Sequence, residues 1–177
     1  MTPTDDAITK TLEDLRKVQG TALLIGGLAV RYFGYKRQTN DVDILYAQAD
    51  GKILQRLKKD FRVVLRAKNG WHHLDNKKTG VRLELIPEGG LTTYGFIPGP
   101  KIVGGQDGFI SLFGLVWLKL VSGRTNDCLD LVSLGKLHLD EMNALKEKLP
   151  PDIQDRYAEL LEQARREMED NPGTVLR

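Results

Sequence analysis

An apolar segment interrupted by two aspartates, Asp41-Val42-Asp43-Ile44-Leu45, constrains the fold of this chain more than any other feature. Its alternation predicts a β-strand over residues 42–46, with both carboxylates on one face and Val42 and Ile44 on the other. Two carboxylates held this close raise each other's pKa unless a cation lies between them. Such oxygen ligands suit Mg²⁺ when phosphate oxygens and water complete its coordination. The segment therefore predicts a strand that binds a metal ion and a phosphate compound.

A pair of glycines, Gly26-Gly27, lies between a predicted strand over residues 21–25 and a predicted helix over residues 28–33. A turn without side chains lets a phosphate approach backbone N–H groups near a helix N-terminus, although a tight turn alone also needs such glycines. The surrounding residues match neither Gly-x-Gly-x-x-Gly nor a P-loop ending in Gly-Lys-Ser/Thr. A dinucleotide fingerprint and a P-loop are therefore excluded at this position.

Apolar periodicity along the chain predicts an α/β unit followed by helices. The predicted helices of the first part cover residues 4–18, 28–33 and 52–59, and its predicted strands cover 21–25, 42–46, 61–66, 71–74 and 81–86. The last two strands form a predicted hairpin. Prolines and glycines break any period over residues 87–105, and helices are predicted over 108–121, 127–134, 140–149 and 152–169, with Pro151 in the first turn of the last one. We expect two domains, 1–100 and 101–177.

A third acidic residue, Glu84, lies in the predicted strand over residues 81–86. Alternation places it with Arg82 on one face and places Leu83 and Leu85 on the other. If this strand neighbours the aspartate strand, Asp41, Asp43 and Glu84 converge on one or two metal ions, and Glu84 can also act as a general base. The alternative is an ion pair with Arg82 on a half-exposed strand.

One lysine, Lys119, lies in a predicted helix that is apolar almost all round. A buried ammonium without an anionic partner is energetically expensive, so the partner is either a phosphate or a carboxylate such as Asp127. A structural salt bridge remains the alternative, and so does a side chain that extends its ammonium to solvent.

The two adjacent histidines, His72 and His73, face opposite sides of a predicted strand, so they do not jointly bind one metal ion. The neighbouring Trp71 either stacks on a base or simply packs. Trp117 lies at helical spacing from Phe113 and is predicted to be part of the core.

Composition is that of an ordinary globular protein, since 41% of the 177 residues are hydrophobic and 28% are charged. The net charge of +2 argues against a protein that binds nucleic acid over its whole surface. A local basic cluster is either a solvated face or a contact for a phosphate-bearing partner. Its members are Lys52, Arg56, Lys58, Lys59, Arg62, Arg66 and Lys68.

The chain has a single cysteine, Cys128, which excludes an intramolecular disulfide and lies among apolar residues that predict burial. We see no apolar leader and no run of about 18 apolar residues, so we expect a cytoplasmic protein with no membrane contact.

The segment Gly26-Gly27-Leu28-Ala29, followed by Arg37-x-Thr39 and Asp41-Val42-Asp43, resembles the signature of the nucleotidyltransferase superfamily in its AbiEii-type form. A second match, Lys119-Leu120-Val121-Ser122-Gly123-Arg124 with Asp127 and Asp130, is similar to the C-terminal helical motif of the same family. The matches cover roughly residues 20–135. That family includes nucleotidyltransferase-like toxins of toxin–antitoxin and phage-defence systems and shares the DNA polymerase beta-like fold.

The resemblance implies a nucleotidyltransferase-type mixed sheet flanked by helices, followed by a C-terminal helical domain. It also implies Mg²⁺-dependent transfer of a nucleoside monophosphate from an NTP to a hydroxyl of RNA such as tRNA, of a protein or of a small molecule. A cognate antitoxin is an implied partner, and a nucleotide- or partner-binding module that has lost turnover is the alternative. Glu84 replaces a common aspartate, which leaves turnover less certain than binding. The implied roles are metal binding by Asp41, Asp43 and Glu84, phosphate binding by Gly26, Gly27, Arg37 and Thr39, and nucleotide binding by Lys119 and Asp127.

Overall fold

The architecture is known from a computed structural model that describes residues 5–15, 22–48, 50, 52–68 and 70–170. The first helix is predicted to extend to Val18, before Gly20, and the next strand is predicted to begin at Thr21. These three positions lie outside the described residues. Within these ranges, no helix combines the length and the apolarity needed to cross a lipid bilayer.

Helices and strands alternate through the first part of the chain, and helices fill the second part. The helices are α1 (Asp5–Leu15), α2 (Gly26–Tyr32), α3 (Ile53–Leu57), α4 (Pro100–Val103), α5 (Leu112–Ser122), α6 (Thr125–Leu137), α7 (Leu139–Asn143) and α8 (Pro151–Asp170), with a 3₁₀ helix at Lys146–Lys148. The strands are β1 (Ala22–Leu24), β2 (Asp41–Tyr46), β3 (Phe61–Arg66), β4 (His72–Asn76), β5 (Arg82–Pro87), β6 (Leu91–Thr92) and β7 (Gly95–Phe96).

The main sheet of the described chain has five strands in the order β1-β2-β5-β4-β3. Strand β2 runs parallel to β5 and antiparallel to β1, and β4 runs antiparallel to both β5 and β3. The predicted mixed α/β architecture is confirmed, and so is the predicted hairpin of β4 and β5. Strands β6 and β7 form a separate small hairpin.

Two hydrophobic clusters hold the fold together. One packs α1 and α3 against the sheet, where Leu74, Leu83 and Leu85 are fully buried. The other packs α2 and the opposite side of β2 against α5, α6 and α8, with Tyr157 at its centre. Burial of each such side chain stabilises the fold by about 1.5–3 kcal/mol, so the two clusters fix the position of β2 and α5 relative to each other.

The central helix α5 begins and ends with strong capping interactions. Ser111 Oγ accepts a hydrogen bond of 3.1 Å from the Gly114 N–H at the N-terminus. Gly123, with φ of +64°, ends the helix in the left-handed conformation, and its N–H donates to the Lys119 carbonyl. These caps place Lys119 in the last turn of α5.

Several predicted boundaries are wrong for identifiable reasons. Helix α2 begins at Gly26, so the glycine pair forms its first turn and does not precede it. The predicted helix over 108–121 begins only at Leu112, because residues 109 and 110 form β-bridges with Leu24 and Gly104. The predicted helix over 52–59 is limited to α3, and the predicted helix over 140–149 is divided into α7 and the 3₁₀ helix. The aperiodic stretch over 87–105 nonetheless forms β6, β7 and α4, because short hairpins tolerate Gly and Pro.

Candidate active site

Two acidic side chains on neighbouring strands form the floor of the candidate site. Asp43 on β2 is the register partner of Glu84 on β5, as the predicted alternation requires. Their strand neighbours Val42, Ile44 and Leu83 are buried on the opposite face. Parallel pairing therefore brings two carboxylates that are 41 residues apart in sequence onto one face of the sheet.

A cavity of about 350 Å³ opens above these carboxylates. Elements from both parts of the chain line it, because α5 and α6 pack across the sheet. The residues that line it are Ile25, Gly26, Asp43, Trp71, Glu84, Ile86, Leu91, Thr92, Thr93, Ile97, Leu115, Leu118, Lys119, Val121, Ser122, Arg124 and Asp127. The lining combines charged groups with apolar side chains.

Gly26 allows the floor of the cavity to form. Its φ of +61° lies in the left-handed region, and a Cβ at this position would overlap with the Asp43 carboxylate. Any other residue would meet both backbone strain and a direct collision. The backbone at the start of α2 is therefore in direct contact with the first predicted metal-binding strand.

A second group of predicted site residues lies beside Gly27 and does not line the cavity. A Cβ on Gly27 would lie 2.7 Å from Thr39 Oγ1 and 3.4 Å from Arg37 Nη2. Thr39 Oγ1 lies 3.2 Å from Asp41 Oδ1 and donates to this aspartate. Asp41 shares the strand face of Asp43, although it is outside the cavity lining. The structure thus brings Gly27, Arg37, Thr39 and Asp41 together at the N-terminal end of β2, outside the cavity lining.

Lys119 is buried, with 4% of its surface exposed, and it pairs with two carboxylates. Its Nζ donates to Asp127 Oδ1 at 2.9 Å and to Asp130 Oδ2 at 2.6 Å. Arg37 Nη1 donates to the same Asp130 oxygen at 2.6 Å. The lysine therefore has the carboxylate partner that its apolar helix required, and α6 links it to the glycine turn through Arg37.

Arg124 is a site residue that our sequence-based site assignment left out, although it belongs to the helical motif that contains Lys119. Its guanidinium donates from Nε to Asp127 Oδ2 at 2.8 Å, and 77% of its side chain is exposed. Its charge also acts on Asp43 and Glu84 across the cavity. Its position in the sequence could have identified it, because Gly123 ends α5 and the next residue, Arg124, lines the cavity.

The carboxyl groups of Asp43 and Asp127 have opposite electrostatic environments. Burial, together with the charges of Asp41 and Glu84, raises the pKa of Asp43 to about 7. Burial also raises the pKa of Asp127, but hydrogen bonds from Arg124, Lys119 and Ser122 outweigh it and lower that pKa to about 2. Asp127 is thus a fixed anion already neutralised by cations, whereas Asp43 belongs to an acidic cluster that lacks sufficient positive charge.

The donor set around Asp43 fits a divalent cation chemically, because Asp41, Asp43 and Glu84 supply hard carboxylate oxygens on one sheet face. Among the described residues, no three His, Cys, Asp or Glu side chains lie close enough together to hold a metal ion, and the strand register brings together two of the three predicted ligands, Asp43 and Glu84. His73 lies on the Glu84 face of the sheet, with Nε2 at 3.9 Å from Glu84 Oε1, whereas His72 is buried. The raised pKa of Asp43 is the observation that favours a cation at this floor.

The hairpin of β6 and β7 contributes residues to the site that no motif predicted. Leu91, Thr92, Thr93 and Ile97 line the cavity. The Tyr94 N–H donates to the Val121 carbonyl, which holds the hairpin against the end of α5. The sequence predicts a domain boundary in this stretch, because short strands among glycines show no apolar period.

The two tryptophans have different surroundings. Trp71 lines the cavity, as the stacking alternative requires. Trp117 packs against the second hydrophobic cluster and makes an edge contact with Phe113, as predicted for a core residue. The cysteine Cys128 is half-buried, not fully buried as predicted, and its Sγ lies 3.2 Å from Arg156 Nη2.

Comparison with known proteins gives structural neighbours but no family assignment. No protein-family model matches the chain, and no curated protein matches it. JHP933 from Helicobacter pylori is similar in structure, with a TM-score of 0.50, 15% sequence identity and an alignment that covers 98% of each chain.

Two further structural neighbours have lower TM-scores. The lincosamide antibiotic adenylyltransferase LnuA, solved with lincomycin bound, has a TM-score of 0.40 and 21% identity over 54% of this chain and 61% of that chain. The antibiotic-resistance factor ANT(2'')-Ia has a TM-score of 0.45 and 15% identity over 96% of this chain and 93% of that chain. The match to JHP933 shows that the two proteins share a fold over 98% of each chain.

Proposed function

We propose that this protein is a Mg²⁺-dependent nucleotidyltransferase that moves a nucleoside monophosphate from an NTP to a hydroxyl acceptor. The observation that carries the proposal is the pairing of Asp43 with Glu84 at the floor of a cavity that Lys119 and Arg124 also line. Transfer of a negatively charged phosphoryl group requires carboxylates that can hold a metal ion and cations that stabilise the phosphate charge.

In the proposed reaction, the acceptor hydroxyl oxygen forms a bond to the α-phosphorus, and the bond from that phosphorus to the pyrophosphate oxygen breaks. Glu84 accepts the hydroxyl proton as general base. Arg124, whose guanidinium is exposed and faces the acidic floor, stabilises the negative charge of the phosphates, and Lys119 supports it from its buried position in the cavity lining.

Mg²⁺ fits the carboxylate set described above, and Asp41, Asp43 and Glu84 would hold it. When bound, it would supply charge neutralisation for the phosphate oxygens. Gly26 leaves space for the Asp43 carboxylate, while Gly27, Arg37 and Thr39 support the phosphate side of the site in this proposal. The division into residues 1–100, which hold the metal, and 101–177, which cover the nucleotide, belongs to the same proposal.

The finer assignment to the AbiEii-type family rests on the glycine and aspartate motifs together with the helical motif. Both motifs place residues on the cavity or directly behind it, which supports the assignment. In that family setting, the acceptor is RNA such as tRNA, a protein hydroxyl or a small molecule, and the protein acts in a toxin–antitoxin or defence system with a cognate antitoxin.

A second candidate is a nucleotide- or partner-binding module of the same fold without turnover. One observation favours it: Lys119 and Asp127 already satisfy each other, and Asp130 and Arg124 complete that network without any ligand. In this alternative, the cavity binds the nucleotide, but the cations of this network stay paired with their carboxylates and do not assist transfer.

Labelling and binding measured on the same preparation separate the two candidates. The protein is incubated with each α-³²P-labelled NTP, Mg²⁺ and a total extract of RNA and protein, and the calorimetric affinity for the NTP is determined in parallel. We expect label on one acceptor, abolished by Asp43→Ala and retained by Asp155→Ala, which changes an exposed aspartate on α8. NTP binding without label on any acceptor supports the module, and labelling that survives Asp43→Ala contradicts the proposed metal site.

A further inference from the structure

The edge strand β3 is an apolar and basic feature that the proposed active site does not use. Sheet order places β3 at the free edge next to β4. After the buried Phe61, every residue of the strand is exposed, including Val63 at 39%, Val64 at 51% and Leu65 at 49%. An exposed aliphatic edge strand presents backbone N–H and C=O groups that favour pairing with another strand.

Positive charge surrounds this edge. Arg62 and Arg66 flank the three aliphatic residues, and Lys58, Lys59 and Lys68 are exposed nearby. The only acidic residue among the described residues from 52 to 68 is Asp60, which is 7% exposed. On the neighbouring strand, Asp75 Oδ2 accepts a hydrogen bond of 3.3 Å from Arg62 Nη2, but 74% of the Arg62 side chain is exposed. The strand therefore offers apolar contacts and more cations than anions to the same partner.

We propose that β3 binds an extended acidic peptide segment of a partner protein by strand addition, outside the active site. Backbone hydrogen bonds would supply affinity, Val63 and Leu65 would contact apolar side chains of the segment, and Arg62 and Arg66 would pair with its carboxylates. The register of β3 against β4 places Arg62 and Leu65 on one face of the sheet and Val63 and Arg66 on the other, so the segment carries an acidic and an apolar residue on each of its faces.

Two other occupants fit the strand less well. A second copy paired antiparallel about Val64 would place Arg62 of each chain opposite Arg66 of the other, and like charges directly opposite destabilise a strand pair. Single-stranded RNA is bound through aromatic stacking, and residues 62–68 contain no aromatic side chain.

An irregularity in the strand limits the partner further. The register of β3 against β4 shifts between Val63 and Leu65, which marks a β-bulge at Val64. Bulges on edge strands oppose indiscriminate pairing. We therefore expect a partner segment whose register matches the strand, and not general aggregation of the protein.

The test uses a fluorescein-labelled octapeptide in which pairs of glutamates alternate with pairs of valines, so that each face carries both residue types, and fluorescence anisotropy is the readout. One control peptide carries lysine in place of glutamate, and another is N-methylated at the amides that would face β3. We expect the acidic peptide to bind at least about tenfold more tightly than either control, and to bind more weakly in about 500 mM than in about 50 mM NaCl.

Variants of the protein assign the binding to β3. Arg62→Glu/Arg66→Glu and, separately, Val64→Asp should weaken binding of the acidic peptide by about tenfold. Lys101→Glu/Lys148→Glu, with the same charge change at exposed residues elsewhere, should bind nearly as the parent does. Circular dichroism melts confirm folding, and Val64→Asp carries the test if the double variant does not fold.

Several results would overturn the proposal. Equal binding of the N-methylated peptide would mean that no strand is added. Unchanged affinity in the folded β3 variants would place the site elsewhere. A single-stranded RNA 20-mer that binds in preference to the acidic peptide, or a parent dimer that Val64→Asp dissociates without any peptide binding, would assign the edge to a different occupant.

Discussion

Asp43 and Glu84 are register partners on the parallel strands β2 and β5, and the charge of Glu84 disfavours ionisation of Asp43. Burial and the charges of Asp41 and Glu84 raise the pKa of Asp43 to about 7. A protein without a ligand thus keeps a carboxyl group that is costly to ionise at the centre of its cavity. This arrangement is typical of a functional site that is preorganised for a cation.

The raised pKa predicts that Asp43→Asn stabilises the ligand-free protein at high pH. The folded state binds a proton at Asp43 that the unfolded state releases above about pH 4, so folding stability declines as the pH rises towards and through 7. Asparagine does not titrate, so the variant does not lose folding stability in this way as the pH rises. Its free energy of unfolding should exceed that of the parent by on the order of 2 kcal/mol at pH 8 and by little at pH 4. Urea unfolding at both pH values measures it. Asp155→Asn should show no such difference, and a variant less stable than the parent at pH 8 would refute the charge argument.

Mg²⁺ should stabilise the protein more at pH 8 than at pH 6. The cation competes with the proton that Asp43 holds below a pH of about 7, so apparent affinity rises through that range. By mass action, the melting temperature should increase with Mg²⁺ concentration at pH 8 and much less at pH 6. Differential scanning fluorimetry with Mg²⁺ and with ATP plus Mg²⁺ provides the measurement. An equal increase in Asp43→Asn would show that the ion binds elsewhere.

Substitutions of Gly26 and Gly80 can be compared directly, because the two glycines share a backbone conformation and differ in what surrounds them. Both have φ in the left-handed region, +61° and +72°, but a Cβ on Gly80 meets nothing within 4 Å while one on Gly26 overlaps with the Asp43 carboxylate. Gly80→Ala should therefore cost about 1 kcal/mol of backbone strain, and Gly26→Ala substantially more. Chemical unfolding measures both.

The double variant Gly26→Ala/Asp43→Ala provides the control for this collision. It removes the carboxylate that the new methyl group meets, so part of the stability lost in Gly26→Ala should return. Strictly additive losses would mean that strain alone accounts for the cost at Gly26.

The sequence predicted which face of its strand each acidic side chain occupies, but not how the elements around the cavity pack. The alternation around Asp43 and Glu84 fixed which face each side chain occupies, because a strand has a period of two whatever lies next to it. The pairing of β2 with β5 was stated only as a condition, since no local pattern specifies a strand partner 41 residues away. The network of Lys119 with Asp130 also depends on the packing of α5 against α6, which periodicity does not reveal. The hairpin of β6 and β7, which lines part of the cavity, was not predicted, because strands of two residues have no detectable period.

Lys119→Met should strongly destabilise the protein, because the substitution leaves Asp127 and Asp130 without their shared buried cation. Loss of one partner from a buried ion pair costs about 3–5 kcal/mol, and Arg37 and Arg124 offset part of it here. The lowered pKa of Asp127 means that the parent gains stability from this network above about pH 4 and loses it as the pH falls towards 2. The difference between variant and parent should therefore be largest near neutral pH and should narrow in acid. Urea unfolding across this range checks it, and a constant difference would indicate lost packing in place of lost charge pairing.

The two tryptophans provide an intrinsic test of where a nucleotide binds. Trp71 lines the cavity, whereas Trp117 packs in the core against Phe113. A purine that stacks on Trp71 should quench its fluorescence, because close contact between the two ring systems alters the excited state of the indole. Titration of the parent with ATP and Mg²⁺ should therefore decrease emission in a saturable manner. Trp71→Phe should abolish that decrease, and Trp117→Phe should leave it in place over a lower background. Quenching that persists in Trp71→Phe and disappears in Trp117→Phe would place the base away from the cavity floor, even if calorimetry shows unchanged affinity.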